Sequence, residues 1–197
     1  MKDKTLEYYN EQHKNFVEDT LNVDFKDTQE KFLNMLPEKA HILDFGCGSG
    51  RDTKYFLERG FKVTAIDGSL ELCKFASMFT GVEVKHMFFQ DLSEVNVYNG
   101  IWACSSILHL PWEELKDVMN KMVLATKKNG IIYTSFKYGM YEGERKGRYF
   151  TDMTEEKFKL FLREVPGLKL KELWVNADVR AERRDEKWLN LILTKEA

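Results

Sequence analysis

The sequence predicts an α/β chain, doubly wound around a mostly parallel sheet that finishes in an antiparallel hairpin. Three observations predict it. Short apolar runs alternate with helical stretches from His41 onward, glycines punctuate them, and the last two strand-like runs have only a loop between them. Alternating strands and helices build a parallel sheet with helices on both faces. A connection too short for a crossover forces its two strands to pair antiparallel.

Taken in order, Thr5 to Leu36 reads as two helices. Leu6, Tyr9, His13, Phe16 and Val17 fall at helical spacing, as do Phe25, Phe32, Met35 and Leu36, and Pro37 ends the second helix. His41 to Phe45 is a short apolar run expected to be a buried strand. A helix over Arg51 to Arg59 stops at Gly60, and a strand follows over Phe61 to Ile66. Leu70 to Phe79 is helical and Gly81 follows it; Val82 to Phe88 is strand-like, as is Ile101 to Ser105. Pro111 to Thr126 is a helix, and Asn129-Gly130 introduces a strand over Ile131 to Phe136. Thr154 to Glu164 is the last helix, and Leu168 to Val175 and Lys187 to Thr194 form the closing hairpin.

The 197 residues suit one domain, 1–197, with an N-terminal helical cap over 1–37. With 43% apolar and 31% charged residues the chain reads as an ordinary globular protein, and a net charge of −2 gives no global attraction for nucleic acid or anionic membrane. The three cysteines are odd in number and form no CxxC pair, so neither a disulfide framework nor a metal site is expected. The charged N-terminus has no apolar core of a leader, and no apolar run would span a bilayer; a cytoplasmic location is expected.

The residues Asp44 to Gly50, Asp-Phe-Gly-Cys-Gly-Ser-Gly, lie between a strand and a helix, where doubly wound folds bind nucleotides. Two details narrow the ligand. The spacing is GxGxG, and Arg51 stands where a dinucleotide fingerprint needs its third glycine. Asp44 closes the strand, and a buried anion there repels a pyrophosphate but favours a cation. S-adenosylmethionine (SAM) carries an ammonium and a sulfonium and has no phosphate. Asp67, 23 residues beyond Asp44, ends the second strand near the roughly 20-residue offset of a ribose-binding acid. It could accept bonds from both ribose hydroxyls, or cap the next helix, a role open also to Ser69. Asp91 could accept from an adenine amino group while the Asp91 and Leu92 amides face the ring, or serve in an Asx-turn.

Together LDFGCGSGRD (43–52), AIDGS (65–69), FFQDL (88–92) and GIWACSSILHL (100–110) resemble successive motifs of the class I SAM-dependent methyltransferases. Within that superfamily the chain is similar to small bacterial methyltransferases of the tellurite-resistance and general small-molecule type. The resemblance implies a Rossmann-like, seven-stranded sheet with SAM across the strand ends and S-adenosylhomocysteine as product. It implies that Asp44, Gly46, Gly48 and Gly50 hold the methionine portion, Asp67 the ribose and Asp91 the adenine. Cys47, Gly68, Gln90, Leu92 and Cys104 belong to the same motifs and are cofactor-side candidates.

The end of the fourth strand is where acceptors sit in this fold. It carries Cys104-Ser-Ser-Ile107, with neither the Asp/Asn-Pro-Pro-Tyr/Phe motif of amino methyltransferases nor a Pro-Cys pair. Nucleic-acid acceptors are therefore disfavoured, and a small molecule with an O, N or S nucleophile is expected. His109 is the candidate general base, with an ordinary pKa of about 6.5, or else a histidine that bridges a loop to backbone. Cys104 reads as a nucleophile or as a buried thiol. Ser105 and Tyr9 are candidate substrate contacts, although Tyr8, Tyr9, His13 and Phe16 at helical spacing also suit plain core. The stretch 137–150 holds three glycines, aromatics and four basic side chains. It is expected to be a lid loop whose Arg145, Arg148 and Tyr149 recognise a carboxylate or phosphate, or else a solvated charged loop.

Three other functions remain on the sequence alone. An RNA methyltransferase would bind RNA salt-sensitively through its arginines. A non-catalytic SAM-binding module would not turn over. A nicotinamide oxidoreductase is opposed by Arg51 and Asp44. A monomer or homodimer is expected.

Overall fold

The fold comes from a computed structural model that describes residues 2–196; Met1 and Ala197, the ends of the expected 1–197 domain, lie outside the described residues. Three helices open the chain: α1 (Lys2–Glu11), α2 (His13–Thr20) and α3 (Lys26–Leu33). Two were expected. The first pattern breaks at Gln12, and α3 stops at Leu33, ahead of Pro37.

Next come β1 (His41–Phe45), α4 (Arg51–Glu58), β2 (Lys62–Asp67), α5 (Leu70–Thr80) and β3 (Val84–His86). They are followed by β4 (Tyr98–Ala103), α6 (Trp112–Ala125) and β5 (Thr126–Lys137). Helix α5 starts where the Ser69 hydroxyl accepts from the Leu72 amide (3.3 Å), and it ends at Gly81 in the left-handed region. The chain then forms β6 (Glu142–Arg145) and β7 (Arg148–Thr151), α7 (Glu155–Arg163), β8 (Leu168–Ala177) and β9 (Lys187–Lys195).

The seven-stranded sheet runs β3-β2-β1-β4-β5-β9-β8. Pairs among β1 to β5 are parallel, whereas β9 pairs antiparallel with both β5 and β8, so β9 is the reversed strand. Successive residues of the central strands feed opposite faces. Leu43, Ile101 and Ile132 pack with Leu115, Met119 and Met122 of α6 and Phe158 of α7. Their neighbours Ile42, Trp102 and Tyr133 pack on the other face with Phe32 of α3 and Phe56 of α4. Strand β5 begins five residues before Ile131, but continuous pairing with β4 starts at Ile131 after a register shift.

The expected lid loop over 137–150 is corrected: most of it is a two-stranded antiparallel hairpin, β6 against β7. Its turn residues Lys146 and Gly147 both have positive φ (51° and 77°), the type I′ geometry whose twist matches a hairpin. Strand β7 lies against α1, which also packs on α5, so the cap and the hairpin meet above the strand ends.

Candidate functional site

The loop after β1 is tied down by its own backbone. Gly46 and Cys47 amides both donate to the Ile66 carbonyl at the end of β2 (3.0 and 2.9 Å). Gly48 sits at φ +56°, and a Cβ there would come within 2.9 Å of Phe16 Cε1 in α2. Glycine therefore lets the cap helices close down on the loop. Gly48→Ala should cost roughly 1–2 kcal/mol for the left-handed backbone alone, plus displacement of Phe16, read as a lower thermal midpoint; an unchanged midpoint would mean the loop is not held in this conformation.

Two carboxylates lie buried here. Asp67 accepts from the Gly48 amide (2.9 Å) and the Ser69 amide (2.8 Å), while Ser69 itself caps α5. Burial still raises the Asp67 pKa above the ordinary carboxylate range. Asp44 accepts a 2.5 Å bond from the Thr53 hydroxyl. Burial and the neighbouring Asp52 charge push its pKa up to about 8.

Asp52 has the opposite fate. It takes a two-point contact from the adjacent Arg51 (2.8 and 2.9 Å) and further bonds from Gln29 Nε2 (2.6 Å) and Trp102 Nε1 (2.8 Å). These donors outweigh desolvation and hold its pKa below the usual value. Arg51 is thus spent on Asp52.

These elements line a cavity of about 750 Å³, the size of a small-ligand site. Of the cofactor-side candidates, Gly46, Cys47, Gly48, Asp67, Gly68, Gln90 and Cys104 line it. Asp44 and Gly50 do not, and neither do Asp91 and Leu92: Asp91 is exposed on a 3-10 turn (Phe89–Asp91), and the Leu92 side chain is in the core. At that turn the wall is Phe88, Phe89 and Gln90.

Of the acceptor-side candidates, Tyr9, Ser105, His109, Arg145 and Arg148 line the cavity, and the Tyr149 side chain does not. The Tyr149 hydroxyl instead donates to Glu142 on the hairpin (3.1 Å). Its carbonyl meets His109 Nδ1 at 2.6 Å. A carbonyl can only accept, so Nδ1 carries the proton and the lone pair is on Nε2. There Tyr9 donates its hydroxyl proton (2.8 Å), and the Tyr9 oxygen accepts from Arg148 Nη1 (3.3 Å). Burial drops the His109 pKa to about 3, helped by the Arg148, Arg145 and Lys137 charges. This corrects the expectation of a histidine titrating near its ordinary value: His109 is a neutral bridge between α1 and the hairpin.

Cys104 is no ready nucleophile. Burial and the Asp52 charge push its thiol up to about 12, where the thiolate is scarce. Ser105 stands at φ +52° at the end of β4, its amide donating to Ser135 Oγ (2.9 Å). A non-glycine residue held there marks a site whose surroundings overrule local preference.

Asp52, Asp152, Asp178 and Lys137 were not singled out in the sequence. Arg145 is gripped by Asp152 (2.8 and 2.6 Å) and Arg180 by Asp178 (2.9 and 2.6 Å). Lys137 pairs with Glu186 beneath the Trp188 ring, and burial brings its pKa down to about 8. The Lys-Gly turn inside an Arg145…Arg148 pattern was the available signal for the hairpin.

Residues 42–130 match the family model for a methyltransferase domain. The Bacillus subtilis (strain 168) protein YqeM, which bears a methyltransferase name, is 31% identical over 113 residues, 52% of this chain and 46% of that protein. The malonyl-[acyl-carrier protein] O-methyltransferase of Salmonella typhimurium is 30% identical over 98 residues, 47% of this chain and 37% of that protein. The chain thus spans less than half the length of these relatives. The Burkholderia thailandensis 1,6-didemethyltoxoflavin-N1-methyltransferase, crystallised with 1,6-didemethyltoxoflavin and S-adenosylhomocysteine, superposes with a TM-score of 0.78 at 19% identity, over 100% of this chain and 87% of that one.

Proposed function

We propose that this chain is a class I SAM-dependent methyltransferase, a reading supported by the methyltransferase-domain match over residues 42–130, and that it transfers a methyl group to an O, N or S nucleophile of a small-molecule acceptor. The observation that carries this reading is one cavity whose wall combines two chemically distinct groups. One group is the glycine loop with Asp67; the other is Tyr9, His109 and Arg148.

The residues of the first group fit SAM. Asp67 keeps lone pairs for ribose hydroxyls beyond the two amides it accepts. The Gly46–Gly48 backbone would face the methionine portion, and Phe88 to Gln90 the adenine. Arg51, adjoining the glycine loop, is neutralised by Asp52 and so offers no free charge to a pyrophosphate. Asp44 would favour the cationic ligand from behind the loop. SAM supplies a methyl group already activated as an electrophile.

What remains for the protein is to hold the acceptor in line and exclude water. The cap helices and the β6–β7 hairpin would do the latter. Where the nucleophile carries a proton, the Tyr9 oxygen would accept a hydrogen bond from it, and neutral His109 Nε2 would hold the Tyr9 hydroxyl in place. His109 acts through Tyr9, and the Tyr149 carbonyl fixes its tautomer.

The test is transfer of labelled methyl from SAM to a metabolite pool. The chain should label a small acceptor, and Tyr9→Phe should slow labelling by at least tenfold with SAM affinity kept. The rate should show no inflection near pH 6.5, because His109 stays neutral down to about pH 3. Since unfolded histidine protonates at about 6.5, the stability from neutral His109 is complete above that pH and is lost as pH falls toward 3. A rate that tracks a pKa near 6.5 would contradict this role. SAM binding without labelling of any acceptor would favour a non-catalytic module.

A further inference from the structure

Several cations of the cavity wall, Lys146, Arg148, Arg183 and Lys187, have no ion pair among the described residues, and of these only Arg148 has a buried donor without an acceptor, whereas three others are paired. Arg145 has Asp152, Arg180 has Asp178 and Lys137 has Glu186. Arg148 has no carboxylate partner among the described residues. Its guanidinium lies against the rings of Tyr8 (4.4 Å), Phe150 (5.2 Å) and Tyr9 (5.7 Å). Of its five N–H groups, one is used, on the Tyr9 hydroxyl, while the Nε donor is buried with no acceptor. A buried donor without an acceptor is costly unless a ligand completes it.

We propose that Arg148 is the recognition point for an anionic oxygen group, a carboxylate or a phosphate, on the methyl acceptor; this rests on the methyltransferase reading of the same cavity. A guanidinium offers a planar fork that such anions match in two-point fashion. Half-buried against the Tyr8, Tyr9 and Phe150 rings, its fork is held in one orientation. Full use of Nε requires the ring cover to shift as the anion enters. Because Arg148 is bonded to Tyr9, an acceptor anchored on it is brought to the Tyr9 hydroxyl. Arg145 was the other arginine expected in this role, but Asp152 already fills its fork.

The test is calorimetry on protein saturated with S-adenosylhomocysteine, titrated with benzoate, inorganic phosphate and the neutral benzamide. Benzoate or phosphate should bind at least tenfold more tightly than benzamide, and whichever binds tighter identifies the carboxylate or the phosphate as the anion. Arg148→Gln should abolish that margin while S-adenosylhomocysteine affinity stays within twofold. Should that variant not fold, Arg148→Lys keeps charge without the fork and should shrink the margin to a few-fold. No preference for the anions, or a margin that survives either substitution, overturns the proposal. Failure of S-adenosylhomocysteine to bind would instead strike the methyltransferase reading, and the benzoate titration of ligand-free protein would still report on Arg148.

Discussion

Asp52→Ala should destabilise the protein by about 3–5 kcal/mol, the range for removing one partner of a buried ion pair. Arg51 would be left buried without its counter-ion, and Gln29 Nε2 and Trp102 Nε1 without their acceptor. Trp102 is fully buried in the centre of the sheet, stacked on Tyr133 with 4.0 Å between ring centroids, so water cannot replace the lost bond without opening the core. Asp52→Asn keeps an acceptor oxygen and should lose less. Urea unfolding reads the difference. A loss under 1 kcal/mol for alanine would mean that Arg51 finds solvent and that α4 does not depend on this carboxylate.

The second large effect is on ligand binding. Asp67→Ala should weaken SAM by about 2 kcal/mol, roughly thirty-fold, at about 1 kcal/mol for each of two ribose bonds. The same change frees the Gly48 and Ser69 amides, so part of the loss would come from a loosened glycine loop. Asp67→Asn separates the two contributions, since its one carbonyl oxygen can keep an amide bond but cannot accept from both hydroxyls. Equal affinity of wild type and alanine variant would mean that the ribose lies elsewhere.

The parts of the fold legible in the sequence are those where burial leaves one solution. His41 to Phe45 is apolar on both sides of the pleat, as a central parallel strand must be, and its bounds agree with the structure. The closing hairpin was equally plain, because the nine residues between β8 and β9 are too few for a crossover. The cap was less so: one run of helical spacing covers α1 and α2, and the break at Gln12 has no proline or glycine to announce it. The hairpin over Glu142–Thr151 was hidden because its charged side chains alternate without an apolar face.

In the site, residues that line the cavity from the glycine loop and the end of β2 were legible from spacing, as with Gly46, Gly48 and Asp67. Pairings across long sequence distances were not. Nothing near Arg145 distinguishes it from Arg148 in the sequence, yet Asp152 neutralises one and leaves the other. The His109 pKa was out of reach for the same reason: burial and three cations from the fifth strand and the hairpin set it.

The charge of the ligand at the glycine loop is tested most directly by calorimetric titration of the protein with SAM and with NADH, at pH 6 and at pH 8. SAM should bind, and more tightly at pH 8 than at pH 6, because burial and the Asp52 charge raise the Asp44 pKa and a cationic ligand favours its ionised form; NADH should give no heat. Binding of NADH with no response to SAM would contradict the account at its root.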